Sequence, residues 1–156
     1  MQSRSIDREP KAVRTGRDVH INLLLLANRN LDALDTICQA SGITHHQYVA
    51  LWTLCLADQP DRGLPMGEVA DGLLNRASDT TRLIDRMEKL GLAERIPNEA
   101  DRRSVLVRAT AAGREVFQAV TPKLQNFHRR QWSELSPTEV DTLNDLLAKA
   151  LWGSVA

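Results

Sequence analysis

A chain of 156 residues, 42% hydrophobic and 26% charged, can bury roughly 70% of the surface that its unfolded form exposes, which argues for one compact domain and against disorder. Only 4% of the residues are aromatic, and the apolar ones, mostly Leu, Ala, Val and Ile, fall at helical spacing, so a mainly α fold is expected. Lysines and arginines balance aspartates and glutamates at 20 each, which excludes a uniformly basic surface but conceals a pattern. Residues 1–17 hold five basic and two acidic groups, residues 18–75 two and seven, residues 76–108 eight and six, and the rest five of each. Positive charge therefore collects at the amino terminus and again after residue 75.

Residues 1–17, polar and basic with Pro10 and Gly16, read as a flexible arm. The spacing then predicts a long helix over 18–42, whose apolar face through Leu23, Leu24, Ala27, Leu31, Leu34 and Cys38 is broader than one packing partner needs. The run from Ile21 to Ala27 is interrupted by Asn22 and followed by no small-residue cleavage site, so it is not read as a signal peptide, and no stretch is long enough to span a membrane. A cytoplasmic protein is expected. Thr44 with Gln47 three residues on, flanked by Ile43 and Tyr48, signals a capped helix from His45 to about Ala57. The Pro-, Gly- and Asp-rich loop 58–65 ends in a short strand at Leu64–Met66, followed by a short helix Glu68–Leu74 and a turn at Asn75–Ala77.

The most informative stretch runs from Ser78 to Gly113. Thr80, Leu83, Ile84, Met87 and Leu90 repeat at the spacing of one buried helical face, leaving Ser78, Asp79, Thr81, Arg82, Asp85, Arg86 and Lys89 outward. Two β-capable runs, Leu92–Pro97 and Ser104–Ala109, then enclose a tip of Asn98, Glu99, Ala100, Asp101, Arg102 and Arg103. A helix with hydroxyls and arginines on its free face, next to a hairpin with adjacent arginines at its tip, is the outline of a winged helix-turn-helix. Thr110 caps a helix through Phe117, Val120, Leu124 and Phe127, with Pro122 expected to bend or interrupt it. Ser136, Pro137 and Glu139 start a last helix with apolar positions at Val140, Leu143, Leu146, Leu147, Ala150 and Leu151.

Cys38 and Cys55 lack any metal-ligand or CxxC spacing and read as buried thiols. No nucleophile with a base, paired carboxylates or phosphate-binding glycine loop stands out, so an enzyme is not expected, nor any cofactor. His45 and His46 are adjacent and point about 100° apart on a helix, so no metal site is expected from them.

In this order of elements, with TRLIDRMEKLGLAER at Thr81–Arg95, DRRS at Asp101–Ser104 and T-x-x-G at Thr110–Gly113, the chain resembles the MarR family of bacterial transcriptional regulators over nearly its whole length. The resemblance implies a winged helix-turn-helix over 44–110, flanked by dimerisation helices at 18–43 and 111–156 in one domain spanning 18–156. It implies a homodimer that binds pseudo-palindromic double-stranded DNA, more often a repressor than an activator, with release by a small-molecule effector. By position, Ser78, Asp79, Thr81, Arg82 and Arg86 would face the major groove or its phosphates. Arg103 would enter the minor groove, Arg102 would approach the backbone, and Asp101 would orient an arginine at the base of the wing, Arg95 or Arg103; arginine forks suit guanine and phosphate, and narrow minor grooves attract them. Arg86 has a plainer alternative, pairing with Asp85 or Glu88 on a solvated face. Arg76, Ala77 and Ala109 depart from the family pattern. The helices that surround the family's effector cleft carry His20, His45, Tyr48 and Trp52, an aromatic and imidazole set suited to a planar or anionic ligand, although Trp52 also suits a core position. A winged-helix module that binds protein without specific DNA affinity is the alternative function.

Overall fold

The computed structural model describes residues 16–73, 79–101 and 104–153. Among the described residues, six helices and three short strands follow one another as α1 (Gly16–Gln39), α2 (His45–Cys55), β1 (Leu64–Pro65), α3 (Met66–Asp71), α4 (Thr80–Lys89), β2 (Ala93–Pro97), β3 (Val105–Ala109), α5 (Ala111–Gln131) and α6 (Pro137–Trp152). The expected mainly α architecture with a small hairpin is thus present, and the short strand expected before the reading unit pairs with it. The sheet is antiparallel in the order β1-β3-β2, with Arg95 opposite Val107 and Leu64 opposite the same Val107 from the other side. Of the expected arm, only Gly16 and Arg17 are described, and both belong to α1. The turn expected at Asn75–Ala77 lies outside the described residues, as do Ser78, Arg102 and Arg103.

Capping sets the helix starts where the sequence places them. Thr44 accepts from the Gln47 amide while the Gln47 side chain accepts from Thr44 N, and Ser136 and Glu139 form the same reciprocal box before α6. Each box satisfies two N–H groups that a helix leaves without partners. A bond from outside the helix adds to the first: His45 N donates to Asp35 Oδ1 on α1 at 2.8 Å. Pro122 does not interrupt α5, which continues through it to Gln131. Immediately before the proline, the Thr121 hydroxyl donates to the Phe117 carbonyl one turn back.

The core is built around α2. Leu51 and Leu54 are fully buried together with Val69 of α3, Ile84 and Met87 of α4, Val107 of β3 and Val120 of α5. Thr80, Leu83, Ile84 and Met87 form the buried face of α4. Leu90, expected on that face, is 55% exposed, because it is the cap residue where the chain leaves the helix. Gly91, with φ of +70°, makes that exit in a conformation that a side chain would disfavour.

The T-x-x-G sequence acts at the junction of wing and α5. Thr110 N donates to the Leu92 carbonyl, and the Thr110 hydroxyl donates to the Gly91 carbonyl at 2.6 Å while accepting from Gly113 N. Gly113 lies so close to Leu92 that a Cβ there would stand 2.0 Å from its carbonyl oxygen. A methyl at this position has nowhere to go without parting α5 from the wing. Gly113→Ala is therefore expected to lower stability by at least about 2 kcal/mol, measured as a lower urea midpoint with unchanged slope; a shift within error would remove this account of the glycine.

Candidate nucleic-acid interface

α4 presents two unlike faces. Its buried side is fully apolar except for Thr80, and its outer side exposes Thr81, Arg82, Asp85, Arg86 and Lys89. Asp79, exposed, precedes the helix as its N-cap residue without a side-chain capping bond. Arg86 and Lys89 occupy the last turn. The Arg86 Nε donates to the Arg82 carbonyl one turn back at 3.2 Å. This outer face is the hydroxyl-and-arginine surface that the sequence implies.

Beyond Gly91 the chain turns directly into β2, so the hairpin flanks the same helix. Short polar bonds link the described residues on either side of its tip. Asn98 Nδ2 donates to Ser104 Oγ, Asn98 Oδ1 accepts from Ala100 N, and the Asp101 carbonyl accepts from both the amide and the hydroxyl of Ser104. Asn98 and Ser104 are structural residues of the wing that the sequence reading passed over; an Asn followed by a charged tip is the signal of such a side-chain-closed turn.

Arg95, one of the two arginines that Asp101 was expected to orient, the other being Arg103, is held by acids of α4. Its guanidinium pairs with Glu88 and, at 2.7 Å, with Asp85. The reason is register: Arg95 sits opposite Val107 in mid-strand, beside the acids of α4 rather than at the tip. These two acids, the plainer partners for Arg86, are thus engaged by Arg95. Farther round the sheet, Arg108 pairs with Glu94 across the two strands and donates to the Asp61 carbonyl, while Arg114 reaches Asp61 and the Ala109 carbonyl. These bonds anchor the loop before β1.

Of the four residues expected to line an effector cleft, His45, Tyr48 and Trp52 follow one another at spacings of three and four on α2, and His20 lies on α1. His20 is exposed on the amino-terminal half of α1. Tyr48 stacks on Phe117 at 5.7 Å, its hydroxyl 3.1 Å from that of Thr121. Trp52, whose alternative place was the core, is 50% exposed. His45 lies at the α1–α2 junction with the His46 ring 6.4 Å away. Another cleft, of about 460 Å³, opens between the start of α2 and α4; His46, Thr44 and Asp35 line one side, and Asp79, Leu83 and Arg86 the other. Among the described residues no group of three or more His, Cys, Asp or Glu side chains could hold a metal ion.

Titration follows from burial. Cys38 is fully buried and its thiol is pushed up to about 11, by desolvation first and then by Asp35. Burial also raises Cys55, against the opposing influence of Arg114. Neither is a poised thiolate. His45 is shifted below the usual imidazole range, by burial first and then by His46 and His128, against the opposing pull of Asp35. The unfolded chain therefore binds this proton more readily than the folded one, and stability falls as pH drops below about 6.5 until the lower folded-state value is passed. We expect the melting temperature to decline over that interval and the decline to flatten in His45→Gln; an identical pH profile in the variant would exclude His45 as its source.

With the geometry in hand, known proteins fit it closely. A MarR family model matches residues 41–104, from the turn between α1 and α2 to Ser104 ahead of β3. The transcriptional repressor MprA of Escherichia coli is 32% identical over 133 residues, covering 85% of this chain and 72% of that protein. The transcriptional activatory protein BadR of Rhodopseudomonas palustris is 33% identical over 111 residues, covering 70% of this chain and 63% of that protein. Among solved structures, a mutant of E. coli MarR complexed with operator DNA superposes with a TM-score of 0.75 at 26% identity, covering 90% of this chain and 99% of that one. The exposed polar face of α4, the flanking wing and these likenesses lead to one conclusion: the chain belongs to the MarR family, as a winged-helix, DNA-binding transcription regulator.

Proposed function

We propose that the protein acts in the cytoplasm as a homodimeric repressor, without catalysis, that binds a pseudo-palindromic operator and releases it when a small molecule binds. The observation that carries this reading is the pairing of an exposed polar face on α4 with uncovered apolar surface at both ends of the chain. Leu23, Leu24, Leu25 and Leu26 are consecutive and all at least 37% exposed, as are Leu146, Leu151 and Trp152 of α6. α6 buries no residue at all. A helix apolar on successive positions is stable in water only when something covers several of its sides, and a second copy of the same helices is the simplest cover. Residues 18–43 and 111–156 are accordingly the proposed dimerisation segments, and 44–110 the DNA-binding unit.

In that dimer the two α4 helices enter successive major grooves about 34 Å apart, so half-sites are centred about 10 base pairs from one another. Thr81, Arg82 and Arg86 contact base edges or phosphates there, with Ser78 and Asp79 at the entrance of the helix. Arg102 and Arg103 extend the contact to backbone and minor groove. Repression is inferred from the likeness to MprA. The cleft beside α4 is the effector position that these contacts favour, because Arg86 lines it and an occupant holding Arg86 would withdraw it from DNA.

Titration of the intergenic DNA adjacent to the gene, at several salt concentrations, tests the reading. Tight binding is expected to fall steeply with salt, since each neutralised phosphate releases counterions. Arg82→Ala and Arg103→Ala are each expected to weaken it by about 1–3 kcal/mol. Weak, sequence-indifferent binding that neither variant alters would favour the protein-interaction module instead. For assembly, Leu24→Asp is expected to yield monomer or unfolded chain in analytical ultracentrifugation, and a folded monomer that still binds DNA tightly would rule out the interface.

A further inference from the structure

Arg95 lies beside the DNA-facing surface, yet three bonds tie it to α4 from within. Its backbone N–H donates to Glu88 Oε1 at 2.9 Å, its Nη1 to Glu88 Oε2, and its Nη2 to Asp85 Oδ1 at 2.7 Å. β2 is an edge strand, so an N–H turned away from β3 needs an acceptor from elsewhere, and Glu88 supplies it. One carboxylate thus holds both the backbone and the side chain of the same strand residue. The second carboxylate, three residues earlier on the helix, holds the other arm of the guanidinium.

Ordinary exposed ion pairs contribute little because two long side chains must be fixed for one weak attraction. Here a backbone bond already fixes the position, the guanidinium is 23% exposed, and its planar fork spans two carboxylates that a helix presents one turn apart. Asp85, Glu88 and Arg95 together carry a formal charge of −1, so as a group they repel phosphate rather than attract it. Their use to a DNA-binding surface must therefore be geometric.

We infer that Arg95 is a positioning residue for DNA binding: clamped by Glu88 and Asp85, it sets the angle of the wing to α4 instead of contacting DNA itself. The inference rests on the DNA-binding reading of α4 and the wing. It makes an unusual demand on Glu88, an acid near the DNA surface. If electrostatics alone mattered, neutralising Glu88 would tighten DNA binding by removing repulsion. If the clamp matters, the same change loosens it, because the wing no longer meets its groove in register with the helix.

The test uses the full chain and its Glu88→Gln, Arg95→Gln and Arg95→Lys variants, with the intergenic duplex and a scrambled duplex of equal length as probes. Hydrogen exchange at the amides of residues 93–96 without DNA is followed in parallel. For Glu88→Gln the expected results are faster exchange in β2 and about tenfold weaker binding to the intergenic duplex, with scrambled-duplex affinity and salt slope unchanged. Arg95→Lys, which retains the charge but loses the fork, should behave similarly. The inference is overturned if Glu88→Gln binds more tightly with unaltered exchange, or if Arg95→Gln lowers the salt slope by about one while exchange in β2 stays as in the wild type. A wild type with no salt-dependent binding to either duplex would instead bring down the DNA-binding reading. In that case the exchange data still decide the clamp, accelerated exchange in Glu88→Gln supporting it and unchanged exchange refuting it.

Discussion

The carbonyl of Leu92 is the point on which the reading unit depends. It accepts the Thr110 N–H and it is the atom against which Gly113 packs, so a single oxygen joins the root of the wing to the first turn of α5. On the chain side, Leu92 N donates to the Met87 carbonyl at the end of α4. Reading helix, wing and following helix are thus attached to one residue and share one frame. Because the hairpin is only five residues long on each side, an error of angle at this root would be carried to its tip.

Above the root, different kinds of interaction act at different distances. Near α2 the frame is held by burial of Ile84, Met87 and Val107, which is strong and non-directional. At mid-strand it is held by carboxylates and a guanidinium, which are weaker and directional. At the tip it is held by the Asn98 and Ser104 turn bonds. The polar surface of α4 is therefore mounted on a rigid base while its flank becomes progressively easier to deform outward, a gradient that suits a surface required to fit a grooved, flexible polymer.

Much of this was legible from the sequence because local chemistry decides it. The capping boxes at Thr44 and Ser136 involve groups three residues apart, and the buried stripe of α4 is a matter of helical period. The strands followed from β-capable runs around a polar tip. What was not legible depends on tertiary register. Nothing near Arg95 in sequence distinguishes Asp101, six residues ahead, from Glu88 and Asp85 behind it; only the pairing of Arg95 with Val107 puts it beside α4. Likewise Tyr48 and Trp52 sit four residues apart on α2, yet one stacks on Phe117 of α5 and the other is half exposed, a difference in environment that helical period alone does not give. Leu90 was assigned to the buried face by period alone, and the period ends where the helix does.

The exposed leucines of α1 bear on more than assembly. A surface of this kind ties the folded state to whatever covers it, so the free energy of folding contains a mass-action contribution from the covering partner. If that partner is another copy, the chain is less stable when it is scarce, and newly made or diluted protomers are the ones most open to proteolysis. A regulator built this way has a lower limit on its working abundance set by its own folding, independent of its affinity for DNA.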